Sequence, residues 1–126
     1  MARKKNTPDL RPVEGNVQQL PVLGEMTTLL QRVRGNKNKT TARALVKSGP
    51  VRIQVLALDE GGELKQDAVD GPFTLQCLLG RVSISAQGLN QRMTAGDLLV
   101  ADSGVPHAIT AEEASVLLLT VMAAAE

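Results

Sequence analysis

The sequence predicts an all-β sandwich or barrel. Short apolar runs with strand-like alternation follow one another, and turn-forming residues separate them about every 8–12 residues. No helical segments alternate with these runs, which argues against a parallel α/β fold. The clearest turn signals are Ser48–Pro50, Asp59–Gly62, Gly71–Pro72, Ala95–Gly96 and Ser103–Pro106.

Length and composition are those of one soluble domain. The chain has 126 residues, of which 43% are hydrophobic and 21% charged, and this length allows a single modest core. No apolar run approaches the roughly 18 residues of a membrane-spanning helix. The basic start is not followed by the apolar region of a secretory signal. A single cysteine excludes an internal disulfide framework and a cysteine-based zinc site, so we expect a cytoplasmic protein without a membrane partner.

Charge is distributed unevenly along the chain. Residues 1–50 contain ten basic and three acidic residues, whereas residues 51–126 contain four basic and ten acidic ones. The basic residues are scattered, which favours a solubilising tail and a basic face. A basic arm that holds a partner is the alternative. Because the chain has no Trp and no Tyr, it lacks the platforms on which single-stranded nucleic acid stacks, and we expect no nucleic-acid partner.

Three segments are expected: a flexible basic tail over 1–20, a short helix and linker over 21–41, and the barrel over 42–126. The tail is polar and has no sustained period. The apolar positions Leu23, Met26, Leu29, Leu30 and Val33 recur at helical spacing, which predicts a helix near Glu25–Val33. Gly35 and Asn36 would end it. Its apolar stripe either packs on the outside of the domain or forms a dimer contact.

Two strands are the most informative part of the barrel segment. In VRIQVLALD, Val51, Ile53, Val55 and Ala57 share one face, while Leu56 and Leu58 make the far end apolar on both sides. For the segment 111–126, helix is the alternative because Ala and Leu favour it. We predict a strand over Ser115–Val121.

The stretch Gly61–Ile109 resembles the cupin superfamily of small jelly-roll β-barrels. The second family motif, G-x5-P-x-G-x2-H-x3-N, matches at Gly96, Gly104 and His107, and departs at Asp102 and Ala111. The first, G-x5-H-x-H-x3-E-x6-G, matches only in its two glycines. Asp67, Val69 and Phe73 stand where the family has His, His and Glu. The resemblance thus implies a cupin-like jelly roll with a degenerate metal-binding motif.

The family's metal site is built from those three positions and the second-motif histidine. A divalent iron, manganese, nickel or zinc ion needs about three or more N or O ligands. This chain retains His107 and offers Asp67 as a carboxylate, so we expect no bound catalytic metal. A divalent metal held by His107, Asp67 and Gln76 is the alternative. Alternation places Gln76 on the face opposite Phe73, so it reaches the site only through a bulge or a shifted register.

His107 and Cys77 each allow a structural and a functional interpretation. His107 is either a packed residue of the barrel or a hydrogen-bonding or acid–base group in a pocket. Cys77 has no cationic neighbour in sequence, so it is interpreted as a small buried hydrophobe.

Two functions follow from the resemblance. The first is a non-catalytic, metal-free cupin whose interior is packed shut or binds a small molecule, its mouth lined by Asp67, Val69, Phe73, Leu75, Cys77 and His107. The second is a metal-dependent cupin enzyme of the dioxygenase or isomerase type with an atypical site around His107. The resemblance also implies a homodimer, because cupins commonly pair through sheet edges or swapped N-terminal strands and a jelly roll has edges to protect.

Overall fold

Two antiparallel sheets pack face to face, and one helix covers part of the outer side of the larger sheet. The computed structural model describes residues 17–66 and 71–123, and within these ranges the chain forms one helix and nine strands. Their bounds are α1 Val22–Arg34, β1 Thr40–Ser48, β2 Val51–Leu58, β3 Glu63–Gln66, β4 Phe73–Leu79, β5 Arg81–Ala86, β6 Leu89–Thr94, β7 Leu98–Ala101, β8 His107–Ala111 and β9 Ser115–Met122.

The sheets have the crossed strand order of a jelly roll. The five-stranded sheet runs β1-β2-β9-β4-β7 and the four-stranded sheet β3-β8-β5-β6. Every pairing is antiparallel, and β9, the last strand in sequence, lies between β2 and β4. The predicted all-β jelly-roll class is therefore confirmed. The strands β6 and β7 are both edges, and they follow one another in the chain without pairing.

The main core lies between the two sheets. Alternate residues of each strand point inward, as the period of two requires. In β4 these are Phe73, Leu75 and Cys77, all at most 2% exposed. Their partners include buried side chains of β2, β5, β6, β8 and β9, namely Leu56, Leu58, Val82, Ile84, Met93, Ile109, Ala111, Leu117, Leu119 and Val121.

A second core lies between α1 and the outer face of the five-stranded sheet. Leu29 and Val33 of the helix are fully buried against Val55, Ala57 and Val116 of the sheet. The strand β2 therefore carries apolar residues on both sides, because Leu56 and Leu58 belong to the inner core. This arrangement confirms the prediction that the far end of β2 is apolar on both faces.

The helix is longer than predicted and begins directly after Pro21. It extends over Val22–Arg34 and ends at Gly35, whose N–H donates to the carbonyl of Arg32 at 3.2 Å. Near the start of the helix, Glu25 forms an ion pair of 2.9 Å with Arg43 of β1. The apolar stripe of the helix packs on the outer face of the sheet. This agrees with the expectation that the helix lies on the outside of the domain and not with the alternative of a dimer contact.

Two strands were not predicted, and one disputed strand is confirmed. The segments ELKQ (β3) and LNQRMT (β6) contain few apolar residues, so their alternation is weak in sequence. The strand β9 covers Ser115–Met122, which excludes the helical alternative there. The strand β1 begins at Thr40, two residues before the expected start of the barrel at 42, and the division into three segments stays a prediction.

A close approach ties the β4–β5 turn to the start of β9. Gly80 has a φ of +88° and its α-carbon faces Ser115, so that an added β-carbon would overlap the Ser115 hydroxyl. That hydroxyl is fully buried; it accepts from the N–H of Arg81 at 3.0 Å and lies 2.7 Å from the carbonyl of Glu113. Glycine is required here by both conformation and space.

The tail predicted over 1–20 falls mostly in residues 1–16, outside the described ranges. Within residues 17–66 and 71–123, no helix combines the length and apolar character needed to cross a membrane.

Candidate ligand-binding site

A stacked pair of rings stands at one end of the inner core. The ring centroids of Phe73 and His107 are 4.7 Å apart with an interplanar angle of 28°. Phe73 begins β4 and His107 begins β8, so the pair bridges the two sheets. The residues are 2% and 5% exposed, respectively. Such offset stacking between rings is favourable beyond the burial of their surface.

The backbone just before β8 orients the imidazole. Nδ1 of His107 lies 3.2 Å from the carbonyl oxygen of Val105. Because a carbonyl only accepts, this contact is a hydrogen bond when Nδ1 carries the proton, and Nε2 is then the acceptor of the neutral ring. The ring is thus held by stacking on one side and by the backbone two residues before it.

The structure brings together only some of the predicted pocket residues. Phe73 and His107 are in contact, while Leu75 and Cys77 continue along the inner face of β4 and are fully buried in the core. Four residues of strand separate Cys77 from Phe73, about 13 Å, so the thiol does not share a pocket with the imidazole. Asp67 and Val69 lie outside the described residues.

Gln76 lies on the outer face of the five-stranded sheet. It pairs with Leu98 of β7 and Leu118 of β9, and the residues before and after it point into the core. The irregularity in β4 falls between Cys77 and Leu79. The alternation of inward and outward side chains is therefore intact from Phe73 to Cys77, which includes Gln76. Gln76 therefore does not join His107 as a ligand.

The described residues do not fit the metal site of a cupin. Phe73 occupies the position of the family's glutamate, and its ring covers one face of the His107 imidazole. Within the described residues, no group of three or more His, Cys, Asp or Glu side chains is placed to hold an ion. Val69 is apolar, which leaves His107 and Asp67 at the four family positions, fewer than a stable site needs.

Burial raises the pKa of the Cys77 thiol above its ordinary value. Loss of hydration is the largest cause, and the negative charges of Asp97 and Glu113 act in the same direction, while a backbone hydrogen bond at Leu79 acts against them. A raised pKa keeps the thiol protonated near neutral pH and therefore poorly nucleophilic. This environment agrees with the interpretation of Cys77 as a buried hydrophobe.

An open cleft lies beside the stacked pair, between the free edges of β6 and β7. Its volume is about 900 Å³. Two small residues at its inner end, Ala86 and Ala101, are the cross-strand neighbours of His107 and Phe73. The remaining lining residues are Ile84, Gln87, Leu89, Gln91, Arg92, Met93, Asp97, Leu98, Leu99, Val100, Asp102, Ser103, Gly104 and Val105.

Three of the six polar side chains that line the cleft are already engaged. The carboxylate of Asp97 accepts from the N–H of Thr94 at 2.9 Å, and the guanidinium of Arg92 donates to Glu112 at 3.0 Å. The hydroxyl of Ser103 accepts from the N–H of Gly71 at 2.9 Å. Gln91 and Asp102 form no side-chain hydrogen bond with the described residues, so their polar atoms can meet a ligand.

Sequence reasoning missed this cleft because its lining comes from strands with weak signals. The strand β6 was not predicted, although Leu89, Gln91 and Met93 alternate on its inner side. The signal in the sequence that could have indicated the cleft is the pair of small residues Ala86 and Ala101. Small side chains beside a phenylalanine and a histidine leave space unfilled.

The fold is that of the cupins. At 24% identity and a TM-score of 0.68, the chain is similar to a conserved protein of unknown function from Streptococcus pyogenes, over 97% of this chain and 100% of that one. A cupin superfamily protein from Desulfitobacterium hafniense gives 20% identity and a TM-score of 0.69 over 98% and 100%. Similarity at this level shows the fold and leaves the function open.

Enzymes occur among the similar structures as well. A variant of salicylate 1,2-dioxygenase from Pseudoaminobacter salicylatoxidans matches at 19% identity with a TM-score of 0.69, over 83% of this chain and 34% of that one. No protein-family model and no curated protein sequence matches the chain.

Proposed function

We propose that this protein is a non-catalytic, metal-free cupin that binds a small, partly apolar molecule in the cleft between β6 and β7. The observation that carries the proposal is the cleft itself, whose lining includes Ala86 and Ala101, the cross-strand neighbours of the stacked His107 and Phe73. A cavity of this size is large enough for a small molecule, and its lining combines apolar and polar side chains.

The polar groups of the cleft favour a ligand with a hydrogen-bond donor or a positive charge. Asp102 offers a carboxylate that no described side chain occupies, and Gln91 offers an amide across the cleft. Arg92, the basic residue of the lining, is held by Glu112, so an anionic ligand would compete with an existing ion pair. The ligand class that fits is a small amine or alcohol with an apolar body.

Absence of a metal is part of the same proposal. Its support is Phe73, which fills with an aromatic ring the position from which a carboxylate would act. The free, buried Cys77 also supports the expectation of a cytoplasmic location.

Ligand-observed NMR with a fragment set tests the binding proposal. The set contains amines, neutral alcohols and carboxylic acids of matched apolar size, and we expect saturation transfer to the amines and alcohols. Ala101→Leu fills the cleft and should abolish the signal. Ala108→Leu, on the outer face of the four-stranded sheet, is the matched control and should leave it unchanged. Binding of acids alone, or equal loss in both variants, would contradict the proposal.

Equilibrium dialysis tests the metal-free state. The protein is dialysed against iron(II), manganese, nickel or zinc and its metal content is measured. We expect far less than one ion per chain, and the same residual content in His107→Ala. Stoichiometric binding that disappears in His107→Ala would instead establish the metal-dependent alternative.

A further inference from the structure

The charged side chains of the cleft are predominantly acidic. Among the described residues that line it, those with a charge are Arg92, Asp97 and Asp102. The guanidinium of Arg92 lies 3.0 Å from a carboxylate oxygen of Glu112, so its positive charge is already paired. Neither aspartate forms an ion pair with a described residue. The cleft therefore has an excess of negative charge, which favours a cationic ligand.

The two aspartates stand at opposite ends of β7. Asp97 directly precedes the strand and Asp102 directly follows it. Because a strand advances about 3.3 Å per residue, their α-carbons are roughly 16 Å apart. This separation is far too great for both carboxylates to bind one metal ion or one ammonium group. They are therefore two separate positions for positive charge.

Both carboxylates keep oxygen atoms that a ligand can contact. Oδ2 of Asp97 accepts hydrogen bonds from the N–H and the hydroxyl of Thr94, at 2.9 and 3.3 Å. These bonds fix the carboxylate in place, and its other oxygen, Oδ1, has no hydrogen-bond partner among the described residues. Asp102 forms no side-chain hydrogen bond with them either. An ammonium group can therefore donate a charge-assisted hydrogen bond to each carboxylate.

The surface between the two aspartates is apolar. The strand β7 reads Leu-Leu-Val-Ala, and its inward-facing residues are Leu99 and Ala101. The lining contributed by the other sheet includes the buried Ile84 and Met93. A charge in the middle of a ligand would lie unpaired against this surface, which is costly. The favoured ligand therefore has its charges at its two ends and methylene groups between them.

We propose that the cleft binds a linear diamine, with one ammonium group at Asp97, the other at Asp102 and the methylene chain along β7. This inference rests on the proposed function and deepens it, because it specifies the ligand and the residues that select it. Aliphatic amines titrate near the value of lysine, about 10.4, so both nitrogens are charged near neutral pH.

The spacing of the aspartates sets the length of the diamine. A hydrogen bond between an ammonium and a carboxylate spans about 2.8 Å. One such bond at each end reduces the separation of roughly 16 Å to about 11 Å between the two nitrogens. An extended chain advances about 1.2 Å per bond, so about nine bonds, or eight carbon atoms, connect the nitrogens. A much shorter diamine reaches only one aspartate, and a much longer one must bend.

A chain-length series tests the proposal. Diamines of roughly four to twelve carbons are titrated into the wild-type protein, each beside the monoamine of the same carbon number, and amide chemical shifts report binding. The ratio of the two dissociation constants removes the contribution of the methylene groups, which both ligands share. We expect the diamine to bind about fivefold more tightly near eight carbons, the gain that one exposed ion pair gives, and the ratio to fall on both sides.

Three variants test which carboxylates select the diamine. Asp102→Asn and Asp97→Asn should each reduce the affinity for 1,8-diaminooctane to that for octylamine, because one ammonium group loses its partner. The amide oxygen in Asp97→Asn can still accept from Thr94. Glu60→Gln is the matched control, since it removes one negative charge from an exposed residue outside the cleft. It should leave the ratio unchanged.

The outcomes separate this inference from the proposed function. Binding of octylamine with no preference for any diamine would overturn the inference and leave the proposed function standing. If no amine of the series binds, both are wrong. A ratio that rises steadily with chain length, or one that both aspartate variants preserve, would overturn the inference as well. The same holds if Glu60→Gln lowers the ratio as much as the aspartate variants do.

Discussion

At the scale of the residue, Phe73 determines what surrounds His107. Phe73 stands at the position of the family's glutamate, and its ring stacks on His107. The imidazole is retained while a neighbouring ligand position is filled by an aromatic group. A histidine in a family motif therefore does not by itself indicate a metal site; the side chains that face it decide.

The buried thiol should make stability fall at alkaline pH. The pKa of Cys77 is raised in the folded state by burial, so its contribution is fully present below the unfolded pKa and is lost as pH rises through the folded value. We expect the urea midpoint to fall between pH 8 and about 10 in reducing buffer. The chain contains no tyrosine to titrate in the same range.

The control for this prediction is Cys77→Ala. It should be less stable at neutral pH because it leaves a small cavity, but its midpoint should depend less on pH over the same interval. An identical pH dependence in both proteins would show that the thiol is not the cause.

Gly80 should be far less tolerant of substitution than Gly88. Both have positive φ, +88° and +78° respectively, but only at Gly80 would an added β-carbon overlap Ser115. Gly88→Ala should cost about 1–2 kcal/mol of stability from its backbone conformation. Gly80→Ala adds overpacking of about 1–3 kcal/mol. Urea unfolding followed by circular dichroism measures both, and equal losses would contradict the close approach.

At the scale of the element, the helix α1 shows why both faces of β2 are apolar. Val55 and Ala57 are buried by the helix, and Leu56 and Leu58 by the other sheet. The helix is thus a layer of the packed fold. Its residues that face the sheet should contribute to stability, and its exposed residues should contribute little.

Leu29→Ala should destabilise the protein by about 2–5 kcal/mol, because Leu29 is fully buried between helix and sheet. Leu23→Ala is the matched control in the same helix. Leu23 is 75% exposed, and its replacement should change the unfolding free energy by no more than about 0.5 kcal/mol. Similar losses for the two variants would mean that the helix does not dock as described.

A strand is easier to predict from the sequence when it lies between two other strands, because more of its side chains are then buried and apolar. The strands β2, β4 and β9 have strong patterns because they lie at the centre of the sheet, and they were predicted. The strand β6 lies at an edge, and Met93 is its only buried residue. The cleft was missed for this reason. The space beside small residues depends on which side chains the fold places next to them. Here those side chains come from strands that are distant in sequence.

At the scale of the whole molecule, distant pairings such as that of β2 with β9 should make folding slow. Val51 pairs with Met122, so about seventy residues of chain must be closed into a loop before that pair forms. Folds dominated by such distant pairings refold in milliseconds to seconds. Stopped-flow circular dichroism is the suitable measurement, since the chain has no Trp or Tyr to report by fluorescence.

Leu23→Ala should refold at the wild-type rate, because the topology is unchanged. A wild-type protein that completes refolding within microseconds would contradict the dominance of distant contacts.

The position of β9 has a consequence for synthesis on the ribosome. The helix α1 is made first, but its seat on the sheet includes Val116 of β9, the last strand to be made. At about 5–20 residues per second, roughly eighty residues of translation separate the two, a delay of about 4–16 seconds. Throughout that interval the apolar side of the nascent helix has an incomplete partner.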